Sequence, residues 1–570
     1  MCGIFSILNY EGTIISPEEM INEFSKGMNR GPEFSILDGD YPQMNMGFHR
    51  LAINGLNNES NQPLIINGVA LICNGEIYNY KQIYKMIGVE PVTDSDCEAI
   101  IHLYIRYGME YTLNALDGVF SFILLDNRES TKKLYVARDP FGVRPLYQVT
   151  LMEEGASTKT IYGFASELKC LQHFYNKDFV FKEIIQFKPA TYSEFILPHN
   201  DFWVQKTFNA PYFIPAFSQS LILNEHTQKP FIMNMFNNIS SLLNAAVTKR
   251  CIATERPVAC LLSGGLDSSL IAALVNNYYR SRNPNHRIET YSIGLKGSED
   301  LKYAKIVATY LNTQHTEIIV TEEAMANAIP EVIQDIESYD TTTVRASIGN
   351  YLIGKYISKH SEAKVIFNGD GSDELFGGYL YMNKCPDDLE FDKETRRLLH
   401  DIYLFDVLRS DKSISSHGLE PRTPFLDKTF VNYVLTIPPY FRNHKNIDKC
   451  EKFILRKSFD RENFLNYEGG ELLPEVILWR KKEAFSDGVS SHGRSLYVIL
   501  QEHIATQLNT NNFNKHEDYK PSIETEKYYY RSIFENAFPN CAHILPYFWM
   551  PKYTNATDPS ARTLDIYSST

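Results

Sequence analysis

No run of about 18 apolar residues occurs in this chain, so no segment is written to cross a bilayer as a helix. Cysteine is sparse, nine in 570 residues with no Cys-x-x-Cys pair. That scatter reads as reduced intracellular thiols and not as a disulfide framework. Asn-x-Ser/Thr matches at Asn58, Asn238 and Asn555 therefore carry no meaning. Basic residues are outnumbered, 56 Lys and Arg against 69 Asp and Glu, for a net charge of −13. With a pI near 5.7, a nucleic-acid surface is not expected. The amino terminus shows no cleavable signal, so a cytoplasmic location is expected and no membrane partner. What the chain has in quantity is core: 44% hydrophobic and 13% aromatic residues, on a length that suggests about four domain units, which two large α/β domains can absorb.

The most informative residue is Cys2, in Met1-Cys2-Gly3-Ile4-Phe5. Removal of Met1 would give Cys2 a free α-amino group beside its thiol. The thiolate is the attacking species, and an amine with a pKa of roughly 7.7–8 can hold the thiol proton near neutrality. Taken alone, a cysteine at position 2 is also what a frayed terminus could carry. Its company decides. Arg30-Gly31-Pro32-Glu33, His49-Arg50-Leu51-Ala52-Ile53, Asn74-Gly75-Glu76-Ile77-Tyr78-Asn79 and Ser95-Asp96-Cys97-Glu98 follow in order within the first hundred residues. This ordered set resembles a class II glutamine amidotransferase domain. The resemblance implies that Arg50 clamps the glutamine α-carboxylate, that Asp96 with Gly75-Glu76 holds its α-ammonium, and that Asn74 and the Gly75 N–H form the oxyanion hole. Without that context, Asn-Gly would read as a hairpin turn. Ser6, Glu33 and Asp94 depart from the usual Gly, Asp and Gly, and none replaces an expected catalytic group.

A second constellation begins with a strand-like run, Pro257-Val258-Ala259-Cys260, continues into Leu261-Leu262-Ser263-Gly264-Gly265-Leu266-Asp267-Ser268-Ser269, and ends in a helical stretch. Strand, glycine loop and helix make an anion cradle of backbone N–H groups, hydroxyls and the positive helix end. A Walker loop would need a lysine that is absent here. The Ser-Gly-Gly-Leu-Asp-Ser pattern resembles the pyrophosphate loop of ATP pyrophosphatases. Downstream stand Asp340-Thr341-Thr342-Thr343-Val344-Arg345, Asn368-Gly369-Asp370-Gly371-Ser372-Asp373-Glu374, Glu451-Lys452, and Trp479-Arg480-Lys481-Lys482-Glu483-Ala484-Phe485-Ser486-Asp487-Gly488.

With these in place, nearly the full length, from Cys2 to Asp558-Pro559-Ser560-Ala561-Arg562, resembles the glutamine-hydrolysing asparagine synthetases. The resemblance implies ATP and Mg²⁺ as cofactors and glutamine, aspartate and ATP as substrates; whether the chain forms a homodimer is left open. It implies an ATP site at Leu262, Ser263, Gly264, Gly265, Asp267, Ser268, Ser269, Ile293, Asn368 and Gly369, and metal ligands Asp267 and Asp373. Lys452 would face the phosphates, and Thr342, Thr343 and Arg345 would hold the aspartate. Asp406, Arg409 and Glu483 are weaker candidates, since charged surface residues are usually only solvated. Asp370 replaces the family's glutamate and is shorter by about 1.5 Å, next to a Ser-to-Asn change at Asn368. Either the loop moves closer or the synthetase is slow. The rival readings are a same-architecture ligase with another carboxylate acceptor, and a nucleotide-binding regulator that has lost synthesis.

The expected division is 2–205 for a glutaminase domain and 206–570 for a synthetase domain. The fold class is α/β, an amino-terminal α/β/β/α sandwich implied by the resemblance followed by a parallel-sheet nucleotide-binding domain. Ser16-Pro17-Glu18-Glu19 reads as a capping box, with Ile21, Phe24 and Met28 on one helical face, and Gly118 to Leu125 as a strand. Asp201–Pro230 lacks periodicity and reads as a linker. Strands expected at Val258–Leu262, Thr290–Gly294 and Lys364–Phe367 alternate with helical stretches, which argues a parallel sheet with nucleotide at the strand ends.

Overall fold

The computed structural model describes residues 2–559 apart from 11, 13, 153–158, 199–200, 219–224, 448–449, 483–487, 491–493, 511–524 and 557. Met1, Glu483 to Asp487 and Ser560 to Arg562 of the motifs above lie outside the described residues. Among the described residues no helix is long and apolar enough to cross a membrane.

The capping box forms as its sequence requires. The Ser16 hydroxyl accepts the Glu19 N–H, the Glu19 carboxylate accepts the Ser16 N–H, and Pro17 opens the helix Pro17–Ser25. Its apolar face needs correcting: Met20 and Phe24 are buried, whereas Ile21 is 59% exposed and Met28 falls beyond the helix. The i, i+4 pair is the one aimed at the sheet, where Phe24 stacks on His49 with centroids 3.9 Å apart.

Two six-stranded antiparallel sheets build the amino-terminal half. The first runs, in spatial order, Phe181–Gln186, Tyr147–Met152, Thr160–Ala165, Gly3–Leu8, Met44–Arg50 and Phe34–Tyr41. The second runs Val204–Pro211, Thr191–Leu197, Lys132–Arg138, Gly118–Asp126, Val69–Ile77 and Leu64–Ile66. Ile4, Phe48, Ile72, Ile123, Leu134 and Phe195 fill the space between their facing sides. Helices Tyr80–Ile87 and Glu98–Tyr107 cover the second sheet and Pro17–Ser25 the first, completing the α/β/β/α layers. The stacking places Cys2, one residue before Gly3–Leu8, opposite Asn74 on the other sheet.

Of the 24 described residues in the expected linker, 14 are in regular structure. Val204–Pro211 is an edge strand of alternating exposure that crosses the expected 205/206 boundary, and the helix Glu225–Ile252 takes in Pro230. A half-exposed edge strand of polar residues gives a weak pattern in sequence, which is why it read as linker.

Five parallel strands form the carboxy-terminal sheet, in spatial order Gln314–Val320, Glu289–Leu295, Val258–Leu261, Val365–Phe367 and Glu420–Arg422. The chain leaves Val258–Leu261 toward one side and returns on its other side at Val365–Phe367. That is a topological switch point, where the carboxyl ends of neighbouring strands diverge and open a crevice. The loops after these two strands, 262–265 and 368–371, therefore meet.

Candidate active sites

The Cys2 nitrogen lies 3.1 Å from Asn74 Oδ1 and donates to it. With Met1 still attached this is a peptide nitrogen that stands in for the α-amine. An Asn74 amide whose oxygen faces Cys2 presents its NH2 to the other side; that group donates to Ser166 Oγ at 3.4 Å, a long bond that leaves capacity for an oxyanion. The thiol is nearly buried and sits 3.8 Å from the Leu51 carbonyl. Burial pushes the thiol pKa up, while Arg50 is close enough to oppose that shift electrostatically. Gly75 cannot be replaced in its strand: a Cβ there would meet the Val119 carbonyl oxygen at 2.5 Å.

Two carboxylates complete this site. Asp96 accepts the Ile77 N–H at 2.6 Å, yet burial dominates and lifts its pKa to about 6. Glu76 accepts the Asn54 amide at 2.7 Å and lies 3.5 Å from Arg422 of the other half. Burial, then Asp96, raise its pKa well above the carboxylate range. Such a pair is suited to receiving a cation. Arg50, at the end of Met44–Arg50, donates to Asn57 O at 2.8 Å, to Asn61 Oδ1 at 2.5 Å and to Gly55 O, so its fork is held in place by the loop that follows it.

The second site is a cavity of about 230 Å³ at the switch point of the parallel sheet. Of the residues expected from the sequence, Leu262, Ser263, Gly265, Asp267, Ser268, Ile293, Thr342, Asn368, Gly369, Asp370, Asp373 and Lys452 line it. Close contact between the two loops is built in, because a Cβ on Gly369 would lie 2.8 Å from the Asp267 backbone. Lys452, almost fully buried, bridges the two expected metal ligands, 2.7 Å from Asp267 Oδ2 and 2.6 Å from Asp373 Oδ1. It does so from a left-handed backbone, φ +56°, which costs about 1–3 kcal/mol and is held by its surroundings. Gly378 makes the approach feasible: a Cβ there would lie 2.1 Å from Lys452 Cε.

Sequence reasoning missed Lys482. Its ammonium lies 2.5 Å from Asp373 Oδ2 and lines the same cavity. Burial works against the Asp373 charge, but Lys452 and Lys482 outweigh it and hold that carboxylate far below the usual range. The signal was its place in the Trp479–Gly488 motif, to which no role was attached. Missed as well was a carboxylate–phenol group: the Tyr379 hydroxyl donates to Glu374 and lies 2.9 Å from Asp406 Oδ2. Asp406 in turn accepts Arg409 Nε at 2.9 Å, and Arg409 Nη2 reaches Asp370 Oδ1 at 3.3 Å. Asp406 and Arg409 thus face the cavity and are not solvated surface charges.

Four expected ligands are not among the residues that line the cavity. Gly264, at φ +73°, serves packing, since a Cβ there would meet Ala304 N at 2.4 Å. Ser269 is sealed inside the helix Leu266–Arg280. Thr343 gives its N–H and hydroxyl to Asp340, the cap of the helix Thr341–His360. Arg345 is engaged on both edges, with Glu526 at 2.9 and 2.6 Å and Asp558 at 2.9 and 2.8 Å. It anchors the carboxy-terminal segment and does not line the cavity. Thr342 remains at the cavity wall with a buried hydroxyl that has no hydrogen-bond partner among the described residues.

Comparison with known proteins places these sites in context. The profile described as glutamine amidotransferase domain matches residues 1–192, and that described as asparagine synthase matches 238–390 and 383–557. The chain is 40% identical over 585 residues to the asparagine synthetase [glutamine-hydrolyzing] of Gallus gallus, covering all of this chain and 99% of that protein. It is 39% identical over 587 residues to the protein of the same name from Homo sapiens, again with 100% and 99% covered.

Proposed function

Because this chain belongs to the glutamine-hydrolysing asparagine synthetase family, we propose that its reaction, ATP-dependent asparagine formation with glutamine as nitrogen donor, is divided between the Cys2 site and the cavity of the parallel sheet. At the first, the Cys2 thiolate adds to the glutamine side-chain amide. Asn74 Nδ2 and the Gly75 N–H meet the negative charge that develops on oxygen, a contribution worth about 10²–10³ in rate per donor. The α-amine of processed Cys2 takes the thiol proton and returns it to the leaving nitrogen. Ammonia departs, and water then releases glutamate from the thioester. Arg50 holds the α-carboxylate, and Asp96 with Glu76 the α-ammonium.

In the second site the aspartate β-carboxylate attacks the α-phosphate of ATP, giving β-aspartyl-AMP and pyrophosphate. The Ser263–Ser268 loop cradles the phosphates. Lys452 and Lys482, now satisfied by Asp267 and Asp373, turn their positive charge to the departing pyrophosphate. Asp267 and Asp373 suit Mg²⁺, since two hard carboxylate oxygens with phosphate and water are the donor set Mg²⁺ takes. When bound, the ion would neutralise phosphate charge. Ammonia displaces AMP, and the amide forms as the nitrogen loses a proton; Asp370, facing the cavity beside Arg409, is placed to supply negative charge there.

The observation that carries this reading is the pairing of a buried thiol and amide donors in one half with an Asp–Lys cluster on a glycine loop in the other. The test follows the nitrogen. Amide-¹⁵N glutamine supplied with aspartate, ATP and Mg²⁺ should give asparagine labelled only in its side-chain amide, with AMP and pyrophosphate as nucleotide products. Label in another product, or ADP and phosphate, would refute it.

A further inference from the structure

The loop that follows Arg50 is held from the other half of the molecule. Arg256, at the foot of Val258–Leu261, donates through Nε to the Ala52 carbonyl at 2.8 Å and through Nη2 to Glu33 Oε1 at 2.7 Å. The second oxygen of Glu33 accepts the Ala52 N–H at 2.7 Å. Both backbone groups of Ala52 are thus satisfied by one ion pair that spans the junction. One step along, the Glu255 N–H donates to Ile53 O at 3.0 Å, and the Gly55 N–H donates to Glu255 Oε1 at 2.9 Å. Asn54 adds a 3.3 Å bond to Ala253 O while its amide also reaches Glu76. Residues 52–55 are therefore tied to residues 253–256 by one backbone hydrogen bond and three that use a side chain.

The loop's other edge faces the Cys2 site. Its carbonyls at Asn54 and Gly55 hold Arg50 Nη2, and the Leu51 carbonyl receives the Cys2 thiol. Ala52, Ile53 and Asn54 are all buried, so their backbone groups depend on these partners. The ion pair by itself contributes little, since Arg256 and Glu33 are 28% and 31% exposed and such pairs are worth about 0–1 kcal/mol. The bonds to buried backbone matter more, because a partner lost there leaves the group unsatisfied.

We propose that Glu33, Glu255 and Arg256 form a splint across the junction that sets the position of the Arg50 loop and thereby the glutamine affinity of the Cys2 site. These are positioning residues, acting through Arg50 and Leu51. Glu33 stands where aspartate is common in the family, and its extra methylene lets one carboxylate serve both Ala52 and Arg256. The inference rests on the reading of Arg50 as the glutamine clamp.

The test is steady-state glutaminase kinetics on the full-length chain, with ammonia-dependent asparagine synthesis measured on the same preparations. Arg256→Ala and Glu255→Ala should each raise the glutamine KM about tenfold, the loss expected when a part-buried hydrogen bond to a buried backbone group is removed, with glutaminase kcat and ammonia-dependent synthesis within about twofold of wild type. Glu255→Gln keeps the acceptor for Gly55 and should restore the KM. An unchanged KM in both alanine variants, or a parallel fall of both activities, overturns the proposal. Arg50→Lys separates it from the clamp assignment: a raised KM there beside an unchanged KM in both alanine variants removes the splint alone, whereas no change in any of the three removes the clamp as well.

Discussion

Lengthening Asp370 to glutamate should slow asparagine synthesis, even though it restores the residue that relatives of this architecture commonly carry. The carboxylate of Asp370 is held by Arg409, and its loop is held from behind. Arg409 Nη2 reaches it at 3.3 Å while Arg409 Nε is held by Asp406 at 2.9 Å. Behind it, Asn368 Nδ2 donates to Ser410 Oγ at 2.6 Å, tying the loop to the helix Asp406–Ser415. The loop cannot retreat to make room, because Gly369 already abuts the Asp267 backbone and Gly371, at φ +92°, packs against Leu426. Asp370→Glu then drives the carboxylate about 1.5 Å further, into Arg409 or the cavity. A misplacement of about 1 Å can cost about 10²-fold, or about 2.7 kcal/mol of barrier. Asp370→Asn should also cripple synthesis, by roughly 10- to 100-fold, since it removes a charge-assisted hydrogen bond worth about 1.5–3 kcal/mol and the negative charge beside the adenylate. Both variants should keep wild-type glutaminase rates. The assay is asparagine formation at saturating ammonia alongside glutamate release. Faster synthesis by Asp370→Glu, or wild-type synthesis by Asp370→Asn, would refute the argument that this loop has adjusted around the shorter side chain.

Three further outcomes are expected. Glutaminase kcat/KM should fall as pH drops through about 6, because burial raises the Asp96 pKa to about 6 and its ionised form, present above that pH, is the one that receives the ammonium; a flat profile between pH 5 and 7 tells against Asp96 in this role. Lys482→Ala should depress pyrophosphate release about 10²-fold or more without touching glutaminase turnover, and Lys482→Arg should not rescue it, a planar fork being a poor substitute for a point charge. Arg345→Met should lower stability by about 3–5 kcal/mol, since Glu526 and Asp558 lose a buried partner, so a drop in Tm should outweigh any rise in the aspartate KM; an unshifted Tm with a large KM effect would return Arg345 to the substrate.

The chemistry of this chain was more legible than its connections. Motifs that place special residues at fixed spacing, such as the glycine loop before Asp267 or Asn74-Gly75, act through local geometry, and local geometry is written locally. The capping box at Ser16 formed for the same reason. The edge strand Val204–Pro211 and the short strand Glu420–Arg422 left faint traces, because each depends on a neighbour distant in sequence. Arg345 shows the limit most clearly. Its sequence context suggested a substrate clamp, but its partners Glu526 and Asp558 lie 181 and 213 residues away, a pairing that no local pattern records. Lys482 is the reverse case: the motif was visible, yet only the fold brings it to Asp373 beside Lys452.

That two separate sites share the reaction is tested most directly by Cys2→Ala. Asparagine formation should persist with ammonia as nitrogen source at a rate close to wild type and vanish with glutamine, with no glutamate released. Equal loss of both activities would contradict it.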